Sequence, residues 1–153
     1  MNQLDTYLEG FKLNYEKFLL GCDALEAEGL WPLEDFGEMD AYFANDLMCV
    51  IIRLIAADGE FDQAEIDYLN DALGFGYSVE ELSAVYTECG EKINSLLESE
   101  LSESISQIQA LSPLLADTYK EMLSLVCKIM IESDGVITSE EKTAASQLLS
   151  CIE

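Results

Sequence analysis

An all-α fold is what this sequence predicts: a single compact domain of about seven helices with an internal pseudo-repeat. Three observations predict it. Apolar residues recur at helical spacing along nearly the whole chain, and no alternating β-branched stretch competes with them. Capping residues, glycine and proline punctuate that periodicity at regular intervals. Two segments, 49–73 and 125–149, share one pattern of apolar helix, Asp-Gly and helix cap. At 153 residues, half of them hydrophobic, the chain can bury one sizeable core and not two, so the domain is taken as 1–153.

Leu4, Leu8, Phe11, Tyr15, Phe18, Cys22 and Leu25 follow at spacings of 4, 3, 4, 3, 4 and 3. They form a narrow seam on one long helix. Its acidic flanks suit packing on its own domain better than a homodimeric coiled coil, and monomer and homodimer both stay open. Gly29 and Pro32 end the helix, and Trp31 and Phe36 anchor the connection over 30–37 to the core. A second helix over 38–57, holding Leu47, Val50, Ile51, Leu54 and Ile55, is apolar on most sides and therefore central. A short helix over 62–73 stops at Gly74 and Gly76.

Ser78 with Glu81 three residues on is a capping box. It opens a helix whose face is Val79, Leu82, Val85, Tyr86, Cys89, Ile93, Leu96 and Leu97, and Leu101, Ile105 and Ile108 mark a further short helix, so that 78–111 lies between the two repeats. Ser112 with Pro113 at the first helical position opens a helix to about residue 133. Ser139 begins the last helix, with Ala145, Leu148 and Ile152 inward.

Charge narrows the function. Against 31 Asp plus Glu stand 7 Lys plus Arg, a formal −24. Such a surface repels phosphate backbones and anionic headgroups, which excludes nucleic acid and membrane docking as partners and favours cations and a protein partner with a basic surface. The longest apolar run, 47–57, contains Arg53 and is too short to span a bilayer. Residues 1–10 lack the basic start and apolar stretch of a signal peptide. No histidine is present, which removes the commonest acid–base group and a frequent zinc ligand. Cys22, Cys49, Cys89, Cys127 and Cys151 are odd in number and contain no C-x-x-C pair, fitting neither a disulfide framework nor a zinc site. That usage points to a reducing cytoplasm. Cys49, Cys89 and Cys127 sit among apolar residues as inert packing, and only Cys127 has a basic neighbour, Lys128. No nucleophile–base pair or phosphate loop emerges, so the chain reads as a binding protein and not an enzyme.

The repeat carries the candidate site. Setting Asp58 on Asp134 aligns Gly59 with Gly135, Phe61 with Ile137, Asp62 with Thr138 and Glu65 with Glu141. The repeats extend over 38–73 and 112–149. Phe61 and Ile137 precede the N-cap, where a hydrophobic staple belongs; Ile66 completes it in the first copy and Lys142 serves poorly in the second. Asp62 or Thr138 caps the next helix, and Glu65 or Glu141 reaches back as capping-box partner. Asp58 and Asp134 follow a helix C-terminus, where the macrodipole disfavours an acid by about 0.3–1 kcal/mol. Either each forms an Asx-type turn, or Asp58, Asp62, Glu65, Asp134 and Glu141 offer oxygens to a hard cation, Ca2+ or Mg2+. Neither corner is an EF-hand, because Leu54 and Ala56, or Met130 and Glu132, stand where its first ligands belong.

These corners, A-A-D-G-E-F-D-Q-A-E at 56–65 and E-S-D-G-V-I-T-S-E-E at 132–141, resemble the paired motifs of the TerB-like family. That family includes bacterial tellurite-resistance proteins and the N-terminal domain of some membrane-anchored DnaJ-type co-chaperones. The resemblance covers about residues 38–150. It implies an all-helical fold with internal pseudo-symmetry, a metal-engaging acidic surface at Asp58, Asp62, Glu65, Asp134 and Glu141, and a role in stress response or tellurite resistance through protein assembly. Thr138 departs from the pattern, standing where the first corner has an acid. The alternative is a metal-independent adaptor whose corners are only helix caps.

Overall fold

The computed structural model describes residues 3–56, 61–132 and 137–152. Among them every regular element is helical: α1 (Gln3–Ala27), α2 (Leu33–Phe36), α3 (Met39–Ile55), α4 (Gln63–Leu73), α5 (Val79–Leu111), α6 (Pro113–Glu132) and α7 (Ser139–Ile152). No helix of the described residues is long and apolar enough to cross a membrane.

The seam on α1 turns inward as its spacing predicts. Phe11, Phe18, Cys22 and Leu25 are buried, and Leu4, Leu8 and Tyr15 pack half-buried against the same core. Its main partner is α6. Close approach there depends on small residues, since Gly21 faces the side chain of Leu115 and Gly10 that of Leu125. Two helices share the centre. In α3, Val50, Ile51, Ile52, Leu54 and Ile55 are all buried; in α6, every residue from Met122 to Cys127 is. Glu38, the N-cap of α3, gives no side-chain cap. Glu26 of α1 supplies one from outside, its Oε2 accepting from the Met39 N–H at 2.9 Å.

The connection after α1 differs from expectation in one respect. Trp31 is buried, its Nε1–H donating to the Gly37 carbonyl at 2.8 Å. Phe36 is 51% exposed and rests on Trp31 at 5.5 Å between centroids, so it covers the anchor without itself reaching the core. Residues 33–36 coil into the single turn of α2.

The separate short helix expected around 101–108 does not exist. α5 runs unbroken for 33 residues. Between Gly90 and Pro113 the chain holds no glycine or proline to stop it. Leu97, Leu101, Ser104 and Ile108 carry the buried stripe onward at spacings of 4, 3 and 4. Each buried leucine or isoleucine contributes about 1.5–3 kcal/mol over an exposed one, which outweighs any local preference for a turn among the serines. Ser78 and Glu81 form the predicted capping box at its start. Asn70 fixes the link into α5, donating to the Tyr77 carbonyl and accepting from the Tyr77 N–H at 2.8 and 3.0 Å.

The cysteines differ in part from expectation as well. Cys22 and Cys127 are buried and Cys49 is half-buried, but Cys89 is exposed, together with Cys151. Cys89 and Leu96, both expected on the inward face, are exposed at the outer edge of the α5 stripe, where an amphipathic helix turns to solvent. Lys128 does not open Cys127 to chemistry, since the thiol is wholly enclosed.

Candidate functional site

The two corners repeat in their first helical turns. Asp62 stands at the N-cap of α4 with extended backbone, φ −89° and ψ 127°, and its Oδ1 accepts from the Ala64 N–H at 2.9 Å. The Ile66 N–H then closes the first turn on the Asp62 carbonyl, as the Lys142 N–H does on that of Thr138. Phe61 before the cap packs on Tyr86 of α5, with ring centroids 5.5 Å apart, and Ile137 before the second cap is buried. Ile66 is buried, whereas Lys142 stays half-exposed.

Glu65 and Glu141 occupy the same place, three residues past each cap. Of the described Asp and Glu residues only these two are buried, at 2% and 0% exposure. Each heads the apolar stripe of its helix. Glu65 precedes Leu69 and Leu73 at spacings of 4 and 4, and Glu141 precedes Ala145, Leu148 and Ile152 at 4, 3 and 4. The positive end of the helix dipole favours a carboxylate at that position, yet burying one is costly unless its oxygens are satisfied.

At the second corner the partners of Glu141 are defined. Its Oε1 accepts from the Thr138 N–H at 3.0 Å and from the Thr138 hydroxyl at 2.7 Å. In return the Thr138 Oγ1 accepts from the Glu141 N–H at 3.3 Å. The threonine that stands where the first corner has an acid thus has a physical use. A hydroxyl can both donate and accept, whereas a carboxylate oxygen, as at the matching position of the first corner, accepts. The other oxygen, Oε2 of Glu141, is buried with no hydrogen-bond partner among the described residues.

Asp58 and Asp134 lie outside the described residues. Asp62, Glu65 and Glu141 lie within them, and no group of three or more Cys, Asp or Glu side chains there is close enough to hold a metal ion. Asp62 is exposed and engaged as a cap, while Glu65 and Glu141 point inward on separate helices.

A further acid escaped sequence reasoning. Asp46 of α3 accepts through Oδ2 from the Ser104 hydroxyl of α5 at 2.5 Å and from the Tyr119 hydroxyl of α6 at 3.0 Å. Burial raises its carboxyl above the usual range, and the two hydrogen bonds pull partly back. Its signal was its register, since Asp46 lies three residues past Phe43 and four before Val50, both core positions. Arg53 was visible as the lone charge in an apolar run. It reaches across to α5, donating to the Ile93 carbonyl at 3.1 Å and pairing with Glu98 at 2.5 Å.

Compared with known protein families, curated proteins and solved structures, the chain matches none of them.

Proposed function

We propose that this chain is a TerB-like acidic interaction domain of a cytoplasmic stress or tellurite-resistance pathway, acting by binding and not by catalysis. In this reading the Asp-Gly corners take a divalent cation, Ca2+ or Mg2+, and the acidic surface takes a basic protein partner. The observation that carries the metal half is Oε2 of Glu141, a carboxylate oxygen fully enclosed and without a hydrogen-bond partner among the described residues. Buried charge is normally paired or bound to metal. Asp134 and Glu141 would hold the ion at the second corner, and Asp58, Asp62 and Glu65 at the first. All are hard oxygen donors, suited to those two ions and not to soft metals. A bound cation would neutralise the carboxylates it touches.

The second reading, a metal-independent adaptor, draws support from the caps. Thr138 and Glu141 complete a reciprocal box, and Asp62 caps α4, so each helix start has partners of its own.

Thermal melts with calcium and with magnesium, matched in ionic strength by sodium chloride, separate the two. An ion at about 100 times its dissociation constant stabilises by about 2.7 kcal/mol, a shift of several degrees. The metal reading expects that shift beyond the salt control, and its loss in Asp58→Asn/Asp134→Asn and in Glu141→Gln. Equal responses to both ions and to sodium leave the corners as caps.

A further inference from the structure

α3 and α5 run antiparallel, with Asp46 meeting Ser104 and, further along α3, Arg53 meeting Ile93 and Glu98. Their outer faces leave an open trough of two parts. One part, about 440 Å3, is lined by the carboxylates of Asp46, Glu100 and Glu103. The other, about 300 Å3, is lined chiefly by apolar groups, among them Trp31, Phe36, Ala110 and Leu111. Tyr42 and Gln107 line both, so the two parts adjoin. No residue lining either part is basic.

We infer that this trough is the docking site for an amphipathic basic segment of another protein. An aliphatic or aromatic side chain enters the end walled by Trp31 and Leu111, and Lys or Arg side chains lie over Glu100 and Glu103. Charge complementarity identifies the occupant. A second copy of this chain would bring another formal −24 to an acidic trough, and an anionic bilayer would be repelled in the same way. Exposed apolar surface at the other end, with Leu30 at 50% and Phe36 at 51%, needs a partner that is more than a counter-ion. Tyr42, at the junction, is 38% exposed and packs with Trp31 and Phe36, extending the apolar end toward the acids. Glu100 to Leu111 spans about 16 Å along α5, matching about three turns of a bound helix.

The proposal deepens the partner half of the reading above and is independent of the metal half. It is tested with the full chain in chelator, where a failed calcium melt leaves it untouched. The probe is an 18-residue helical peptide of lysine and leucine with its leucines on one face, and the control is a scrambled peptide of the same composition. Trp31 is the single tryptophan, so its emission reports filling of the apolar end while peptide anisotropy reports binding. Saturable one-to-one binding is expected, with a change in Trp31 emission. The scrambled peptide should bind at least tenfold more weakly, as should the amphipathic peptide to Ala110→Arg and to Glu100→Gln/Glu103→Gln. All three substituted side chains are exposed, and an unchanged melting midpoint confirms the fold. Equal binding of the scrambled peptide, or wild-type affinity in both variants, overturns the proposal. So does a dimer of the chain alone that Ala110→Arg dissolves, or Trp31 emission that responds only to phosphatidylserine vesicles.

Discussion

The hydroxyl of Tyr119 donates to Oδ2 of Asp46 at 3.0 Å, joining the two central helices across 73 residues of chain. Tyr119 is 1% exposed, and its ring packs on Phe18 and Phe43 at 5.3 and 5.8 Å between centroids. Burial and the neighbouring Asp46 carboxylate push the phenol well above its ordinary range, so it remains a donor at any physiological pH. The same Asp46 forms part of the acidic end of the α3–α5 trough. Core packing and surface charge therefore meet at one carboxylate.

That carboxylate sets a pH dependence with a definite sign. Its folded pKa is raised, so between the unfolded value and the folded one the native state binds the proton more tightly than the unfolded chain does. The contribution of Asp46 to stability is thus greatest in acid and declines as pH rises through that window. Asp46→Asn removes the charge, and its amide oxygen can still accept from Ser104 and Tyr119. Urea unfolding at pH 7 should show the variant more stable than wild type, with the difference shrinking toward pH 4. A loss above about 1 kcal/mol at pH 7 would mean that hydrogen bonds to the charged form outweigh its desolvation.

Two glycines on α1 should respond in opposite directions to alanine. At Gly10 an added Cβ meets Leu125 at 3.5 Å, ordinary contact, so Gly10→Ala should gain up to about 1 kcal/mol from helix propensity. At Gly21 it would meet Leu115 Cδ1 at 2.5 Å and Cδ2 at 3.2 Å. Gly21→Ala should cost about 1–3 kcal/mol from overpacking. Combining it with Leu115→Ala should recover part of that loss, a coupling readable in a double-mutant cycle. Additive costs would show that α1 and α6 do not meet through this pair.

Thiol reactivity should split by burial. Desolvation, aided by nearby acids, raises Cys22 to about 12 and Cys49 to about 11. Cys89 and Cys151 are exposed and Cys127 is buried. Titration with an aromatic disulfide at pH 8 should label Cys89 and Cys151 quickly, Cys49 slowly, and Cys22 and Cys127 only in denaturant. Fast labelling of Cys127 would show that its thiol is accessible next to Lys128, against the enclosure seen in the structure.

Much of the fold was legible because helical periodicity, caps and breakers are local properties. The Ser78–Glu81 box and the Ser112–Pro113 start are each written in a few adjacent residues, and the α1 seam in one unbroken spacing. The continuity of α5 was legible only in part: the sequence shows no glycine or proline between Gly90 and Pro113, but not that Leu97, Leu101 and Ile108 are buried. At the corners, the motif and the Thr138–Glu141 box were readable, but the enclosure of both glutamates was not. An acid three residues past a cap looks the same whether its helix face meets solvent or core.

The sequence by itself determined an all-helical chain, its strong acidity and two matched helix caps, since composition and local hydrogen bonding decide these. Only the tertiary structure decided which acids are enclosed, as Glu65 and Glu141 are, and which line a trough, as Asp46, Glu100 and Glu103 do. Desolvation depends on neighbours distant in the chain. Asp46 acquires its setting from Ser104 and Tyr119, 58 and 73 residues away, and no local pattern carries that information.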